Sequence, residues 1–169
     1  GVALFQVLAM DRLGGLAAQV EDRAKDAQIL GEVDSRYEAL STLAAELLAG
    51  VEPAKIRDAL VRCRAEAAEH CAEVERIADS DEEKAQAVIL RRNYLSYVDL
   101  LQNRLVPLVE SAGPAGPDRA ALAALFSSLA TLREAGMSAL DRILVSTVND
   151  RERAAADAVP ARKSVANAP

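Results

Sequence analysis

His70 is the only histidine of the chain, so any metal, haem or phosphotransfer chemistry based on imidazole must run through it. It falls in the run Ile56, Leu60, Cys63, Ala67, His70, Val74 and Ile77, whose three-and-four spacing puts all seven on one helix face. Cys63 lies one heptad away on that face, at about 10.5 Å of helical rise, too far for the two to share one metal ion. Glu66, Glu69 and Glu73 surround the histidine on the same helix. Di-iron bundles need Glu-x-x-His on two helices and further glutamates on two others. Here the order fails and the second histidine is missing, which excludes a di-iron oxidase. A Cys-x-x-Cys-His haem attachment is absent as well. A phosphorylatable histidine must face solvent, whereas this one faces a seam. His70 is therefore expected to be a packed core residue, with no metal and no cofactor.

The other chemistry-bearing residues form no catalytic pattern. There is no Ser-His-Asp set, glycine-rich phosphate loop or Walker motif, so the chain reads as a non-enzyme. Cys63 and Cys71 are eight residues apart in one helix, or about 12 Å of rise, which is too far for a disulfide. Two buried free thiols are expected, with pairing between subunits as the alternative. The formal charge is −6, and no Lys/Arg run exceeds two residues, which argues against a nucleic-acid partner and against docking of the body on an anionic membrane.

The elements that must position these residues are helical. Leu30, Val33, Tyr37, Leu40, Ala44 and Leu47 give a first seam. Tyr94, Val98, Leu101, Leu105 and Leu108 give another, as do Leu122, Leu125, Leu129, Leu132, Gly136, Ala139 and Ile143. Gly50 with Pro53 marks a stop and restart. Ser80 with Glu83 is a capping box, and Pro107 is expected to loosen the end of its helix. The stretch 111–117, with two Gly-Pro pairs, is the strongest loop signal. The spacing predicts helices over about 3–49, 54–79, 82–111 and 118–158. The fold class expected is all-α: an antiparallel up-down-up-down four-helix bundle with long first and last helices. Residues 1–159 form that domain, and 160–169 form a polar tail. Both ends then emerge at one pole, and the surplus of the outer helices projects as a paired stalk.

Counting down from the tip of such a bundle places Tyr37, about 12 residues below it, near Tyr97, about 14 below, or roughly 18–21 Å. Cys63, Glu66, Ser127, Ser128 and Thr131 fall near the same level. A layer of this kind can hold a small ligand between helices.

The chain resembles the extracytoplasmic four-helix-bundle ligand-binding domain of bacterial methyl-accepting chemotaxis receptors, a module also found in sensor histidine kinases. The resemblance rests on the long-short-medium-long helix order and on the apolar Leu4–Met10 start followed by Gly31-Glu32-Val33. It also rests on Asp79-Ser80-Asp81-Glu82-Glu83 leading to Tyr94-Leu95-Ser96-Tyr97, and on Leu140-Asp141-Arg142-Ile143-Leu144 with Asn149. It implies a periplasmic sensory input domain, a homodimer, flanking membrane spans outside this fragment, and a small-molecule ligand such as an organic acid. The opening at Gly1 fits a fragment cut just outside a membrane helix, with the 160–169 tail leading towards a second span. The aspartate-binding members of that family place several arginines on helix one and a threonine on helix four at a dimer interface. Arg36, and Ser127, Ser128 and Thr131, lie at comparable depths here, while no further arginine follows Arg36 on helix one. The ligand-binding residues expected are Arg36, Tyr37, Tyr97, Ser127 and Thr131. The alternative of another class is a helical adaptor bundle with no small ligand.

Overall fold

Gly50 and Pro53 set the first turn of the chain. Gly50 takes φ 101°, a left-handed conformation that ends the preceding helix at no steric cost. Pro53 opens the next helix, where its missing N–H is not needed. The computed structural model of the protein describes residues 2–166, with side chains through residue 158. Helix α1 is Val2–Leu48 and α2 is Pro53–Ile77. Helix α3 begins as Asp81–Leu100, passes through a π turn at Leu101–Leu105 and finishes as Val106–Glu110, and α4 is Arg119–Ala166. Among the described residues there is no strand. Gly1 and residues 167–169 lie outside the described set, and with them the first residue of the expected fragment start and the end of the expected polar tail.

The start of α3 is capped on both sides. The Glu83 backbone N–H donates to the Ser80 hydroxyl at 3.1 Å, and the Glu83 carboxylate accepts from the Asp79 N–H at 2.8 Å. Asp118 caps α4 by accepting from the Ala120 N–H at 3.0 Å. Helix α4 runs beyond the expected end at 158, to Ala166. Pro160 removes one hydrogen bond, but alanines at 154–156, 158 and 161 favour helix on both sides of it.

The core is built from all four helices. Tyr37, Leu40 and Leu47 of α1, Leu60 and Val74 of α2, Leu90, Leu101 and Leu105 of α3, and Leu129, Leu140 and Ile143 of α4 are fully buried. Apart from Leu90 and Leu140, these lie on the seams read from the spacing, with one change of phase. The π turn adds a residue, so the buried face of α3 moves from Leu105 to the adjacent Val106, and Leu108 is only half-buried. Pro107 lies just after this turn. It offers no N–H to the Asn103 carbonyl, which leaves that part of the ladder free to widen.

Ion pairs lace the helices together. Between α2 and α3, Arg57 holds Glu110, Arg64 holds Asp99, and Arg91 holds Glu75 at 3.1 Å. Between α1 and α4, Arg133 holds Asp34 at 2.6 Å and Glu38 at 2.7 Å. Further along the same two helices, Arg151 meets Asp22 at 3.6 Å and Asp26 at 3.7 Å. Buried positions on α1 run only from Val33 to Leu47. Before them, Leu4, Phe5, Val7, Leu8, Met10, Leu13, Leu16 and Val20 are all exposed. No helix among the described residues is long and apolar enough to cross a membrane.

Candidate functional site

Three tyrosines meet in the core. The Tyr37 ring centroid lies 5.2 Å from that of Tyr94 and 5.4 Å from that of Tyr97, in tilted and edge-on arrangements that suit the aromatic quadrupole. The Tyr97 hydroxyl is within hydrogen-bonding distance of the Ser41 hydroxyl, at 3.1 Å. The Tyr37 hydroxyl is buried with no partner. Burial, with smaller contributions from neighbouring groups, pushes the Tyr37 and Tyr94 phenols well above their ordinary value, so both stay neutral across the physiological range. This layer is packed and offers little room to a ligand.

Arg36 is the next residue on α1 and points elsewhere, as an offset of about 100° per residue requires. Its guanidinium is engaged by Glu66 of α2. Beside it a narrow crevice, bordered by Val33, Ala67, His70, Leu90 and Tyr94, separates α1, α2 and α3.

Ser127 and Thr131 lie on the other side of the molecule. With Ser128 of α4, and with Ser96, Asp99 and Leu100 of α3, they line an open groove. The Ser128 hydroxyl donates to the Ala124 carbonyl and the Thr131 hydroxyl to the Ser127 carbonyl, each at 3.1 Å. Their lone pairs are left to accept from outside. Asp99 is paired with Arg64, so the carboxylate that borders the groove is already neutralised from α2. The π turn begins at Leu101, directly after Leu100 in the groove wall. Such turns often mark functional positions in helices.

The five residues expected to contact a ligand therefore occupy three places. Ser127 and Thr131 share the α3–α4 groove. Tyr37 and Tyr97 share the core tyrosine layer. Arg36 sits at the α1–α2 face. The level counting places Tyr37 opposite 127–131, whereas Tyr37 meets Gly136, five residues further along α4 and about 7.5 Å away by rise. Ser96 and Asp99 are groove residues outside the expected ligand contacts. Ser96 and Asp99 are spaced i, i+3 on α3, which places them on one face.

His70 is nine-tenths buried, as the seam predicts. Its Nδ1 lies 3.5 Å from a Glu32 carboxylate oxygen and 3.8 Å from one of Glu73. Its Nε2 is buried without a hydrogen-bond partner. The glutamates expected around His70 are those of its own helix, yet Glu32 comes from α1. Only the packing of α1 on α2 brings it there.

The thiols are free. Cys71 is buried and Cys63 half-buried, and burial raises both above the ordinary thiol value. No protein-family model, no curated protein and no solved structure matches the chain.

Proposed function

We propose that the chain is the extracytoplasmic sensory input domain of a bacterial transmembrane chemoreceptor. It binds a small polar ligand, an organic acid being one candidate class, and passes a signal along its outer helices. The observation that carries this reading is the reach of those helices. α1 and α4, of 47 and 48 residues, share a core over only part of their length and are tied again outside it through Arg151, Asp22 and Asp26.

The finer topology belongs to the same proposal. An antiparallel up-down-up-down order fits the α2–α3 ion pairs, in which residues 57, 64 and 75 ascend while their partners 110, 99 and 91 descend. The α1–α4 pairs run the same way: 133 with 34 and 38, then 151 with 22 and 26. Both termini then lie at one pole, where flanking membrane spans of a transmembrane receptor would join them. A periplasmic location and a homodimer complete the reading. The sensor domain of a transmembrane histidine kinase would use the same body and differ in its output part.

The groove between α3 and α4 is the proposed ligand seat. A ligand bridging Ser127 and Thr131 to Ser96 and Asp99 contacts two helices at once, and α4 continues unbroken from there to Ala166. Binding would favour the arrangement of the two helices that fits the ligand, by its differential affinity for the two states, and shifts of about 1–2 Å are the scale of such transitions. A thermal-shift screen of organic acids, amino acids and aromatic acids tests this. Ligand at a hundredfold its dissociation constant stabilises by about 2.7 kcal/mol. Ser127→Ala with Thr131→Val should then weaken binding by about tenfold, since each lost hydrogen bond is worth about 0.5–1.5 kcal/mol. A screen without a binder favours the helical adaptor, which the exposed apolar residues of α1 between Val2 and Val20 would serve as a partner surface.

A further inference from the structure

We propose that Glu32, His70 and Glu73 form a binding site for a divalent transition-metal ion of the zinc class, joining α1 to α2. The three donor atoms lie within 4.8 Å of one another, and the imidazole Nδ1 is 3.5 Å and 3.8 Å from the two carboxylates. A tetrahedral zinc ion with bonds of about 2.0–2.2 Å sets its ligand atoms about 3.3 Å apart. The His70 contacts are therefore already close to liganding distance, and small rotations of the two glutamates close the rest. Those glutamates have side chains 44 % and 64 % exposed, and Glu32 is held only by a hydrogen bond that its other carboxylate oxygen accepts from the Gln28 amide at 3.1 Å.

A second observation points to a ligand. His70 is nine-tenths buried, its Nδ1 aims at the two carboxylates at distances longer than a good hydrogen bond, and its Nε2 has no partner at all. Packing fixes the ring, so its Nδ1 is held in place before a metal arrives. His70 and Glu73 are spaced i, i+3 and share a helix face. Glu32 completes the set from the facing helix. Imidazole with two carboxylates and open positions for water suits zinc, nickel or cobalt, and serves magnesium or calcium poorly. The unpartnered Nε2 leaves the ligand histidine without the second hydrogen bond that tightens such sites, so the affinity falls short of a structural zinc site.

The consequence is mechanical. Glu32 directly precedes Val33, the first buried residue of α1. An ion here would clamp α1 to α2 where α1 enters the core. This inference stands on the packing of these two helices and is independent of the groove and of the sensory reading.

Titration calorimetry of the whole chain with zinc chloride, in a non-chelating buffer, tests it. The expected result is one ion per chain, with cobalt giving a visible d–d band at the same stoichiometry. Glu32→Gln and Glu73→Gln should each weaken zinc binding at least tenfold. His70→Gln should abolish it, and Glu69→Gln, an exposed neighbour outside the set, should leave it unchanged. The two glutamate variants change exposed side chains, so they decide the matter even where His70→Gln fails to fold. Absence of saturable zinc binding, or unchanged affinity in Glu32→Gln, overturns the proposal.

Discussion

The Tyr37 hydroxyl of α1 packs directly against Gly136 of α4, so closely that a Cβ on Gly136 would lie 2.3 Å from the phenol oxygen and 3.3 Å from its ring carbon. A glycine here lets a tyrosine cross the core. The same hydroxyl has no hydrogen-bond partner, so the contact is steric and the polar atom is left unsatisfied.

Gly136→Ala is therefore expected to destabilise the fold by about 1–3 kcal/mol, the usual cost of overpacking, although alanine is the better helix former. Tyr37→Phe removes an unsatisfied buried hydroxyl and should be close to neutral. In the double variant part of the Gly136→Ala cost should disappear, because the closest clashing atom is gone. Urea unfolding of the four proteins gives the coupling between the sites. Equal cost of Gly136→Ala in the Tyr and Phe backgrounds would show that the contact does not limit packing.

How far this could be read beforehand depends on the kind of signal. Seam positions such as Val33, Leu60, Val98 and Ile143 are legible because burial repeats with the helix period. The caps at Ser80 and Gly50 are legible because each depends on local chemistry alone. The exit of α3 is not, since the π turn moves the buried face by one residue and no spacing rule announces it. The site is harder still. Arg36 and Tyr37 are neighbours in sequence but face α2 and the core respectively. Glu32 reaches His70 only through the rotation of α1 against α2, a quantity that single-helix periodicity does not contain. Level counting along the helices placed residues to within about a turn or two, which is too coarse to tell the tyrosine layer from the Ser127–Thr131 groove.

The capping box should be visible in the pH dependence of stability. Burial alone would raise the Glu83 carboxyl, but hydrogen bonds from the Asp79 and Ser80 N–H groups, with the neighbouring Ser146 side chain, outweigh it and hold the group below its ordinary value of 4.5. A depressed folded-state value means that its contribution is complete above about pH 4.5 and is lost as the pH falls through the folded value. Stability measured by urea unfolding should decline in acid, and the decline should be shallower in Glu83→Gln. Ser80→Ala should cost about 1 kcal/mol at neutral pH. Superimposable acid limbs for the parent and Glu83→Gln would remove Glu83 from this role.

The two thiols should react slowly and unequally. Desolvation raises both, foremost among the effects on each, so the thiolate fraction at pH 7 falls below that of a free cysteine. Cys63 is half-buried and Cys71 buried. With a disulfide reagent under native conditions Cys63 should react first, and Cys71 only at the rate of local or global opening. Equal and fast labelling of both would mean that α2 does not pack as described.

The beginning of α1 provides the last test, and it bears on assembly. From Val2 to Val20 the helix buries none of its large apolar side chains in its own chain, and Phe5 is 80 % exposed. Most helical stability in a protein comes from packing of an apolar face, which this segment lacks within its own chain, so residues 2–20 should exchange amide hydrogens fast and be cut by trypsin at Arg12 and Arg23 before any site in the body. If a second copy covers this face, as the homodimer proposal requires, protection should rise with protein concentration, because association stabilises by mass action. Hydrogen exchange followed by mass spectrometry over a hundredfold range of concentration separates the outcomes. Protection over residues 2–20 that grows with concentration supports pairing through α1. Fast exchange at every concentration, with the body still protected, would mean that α1 has no partner of its own kind and would remove the homodimer from the proposed function.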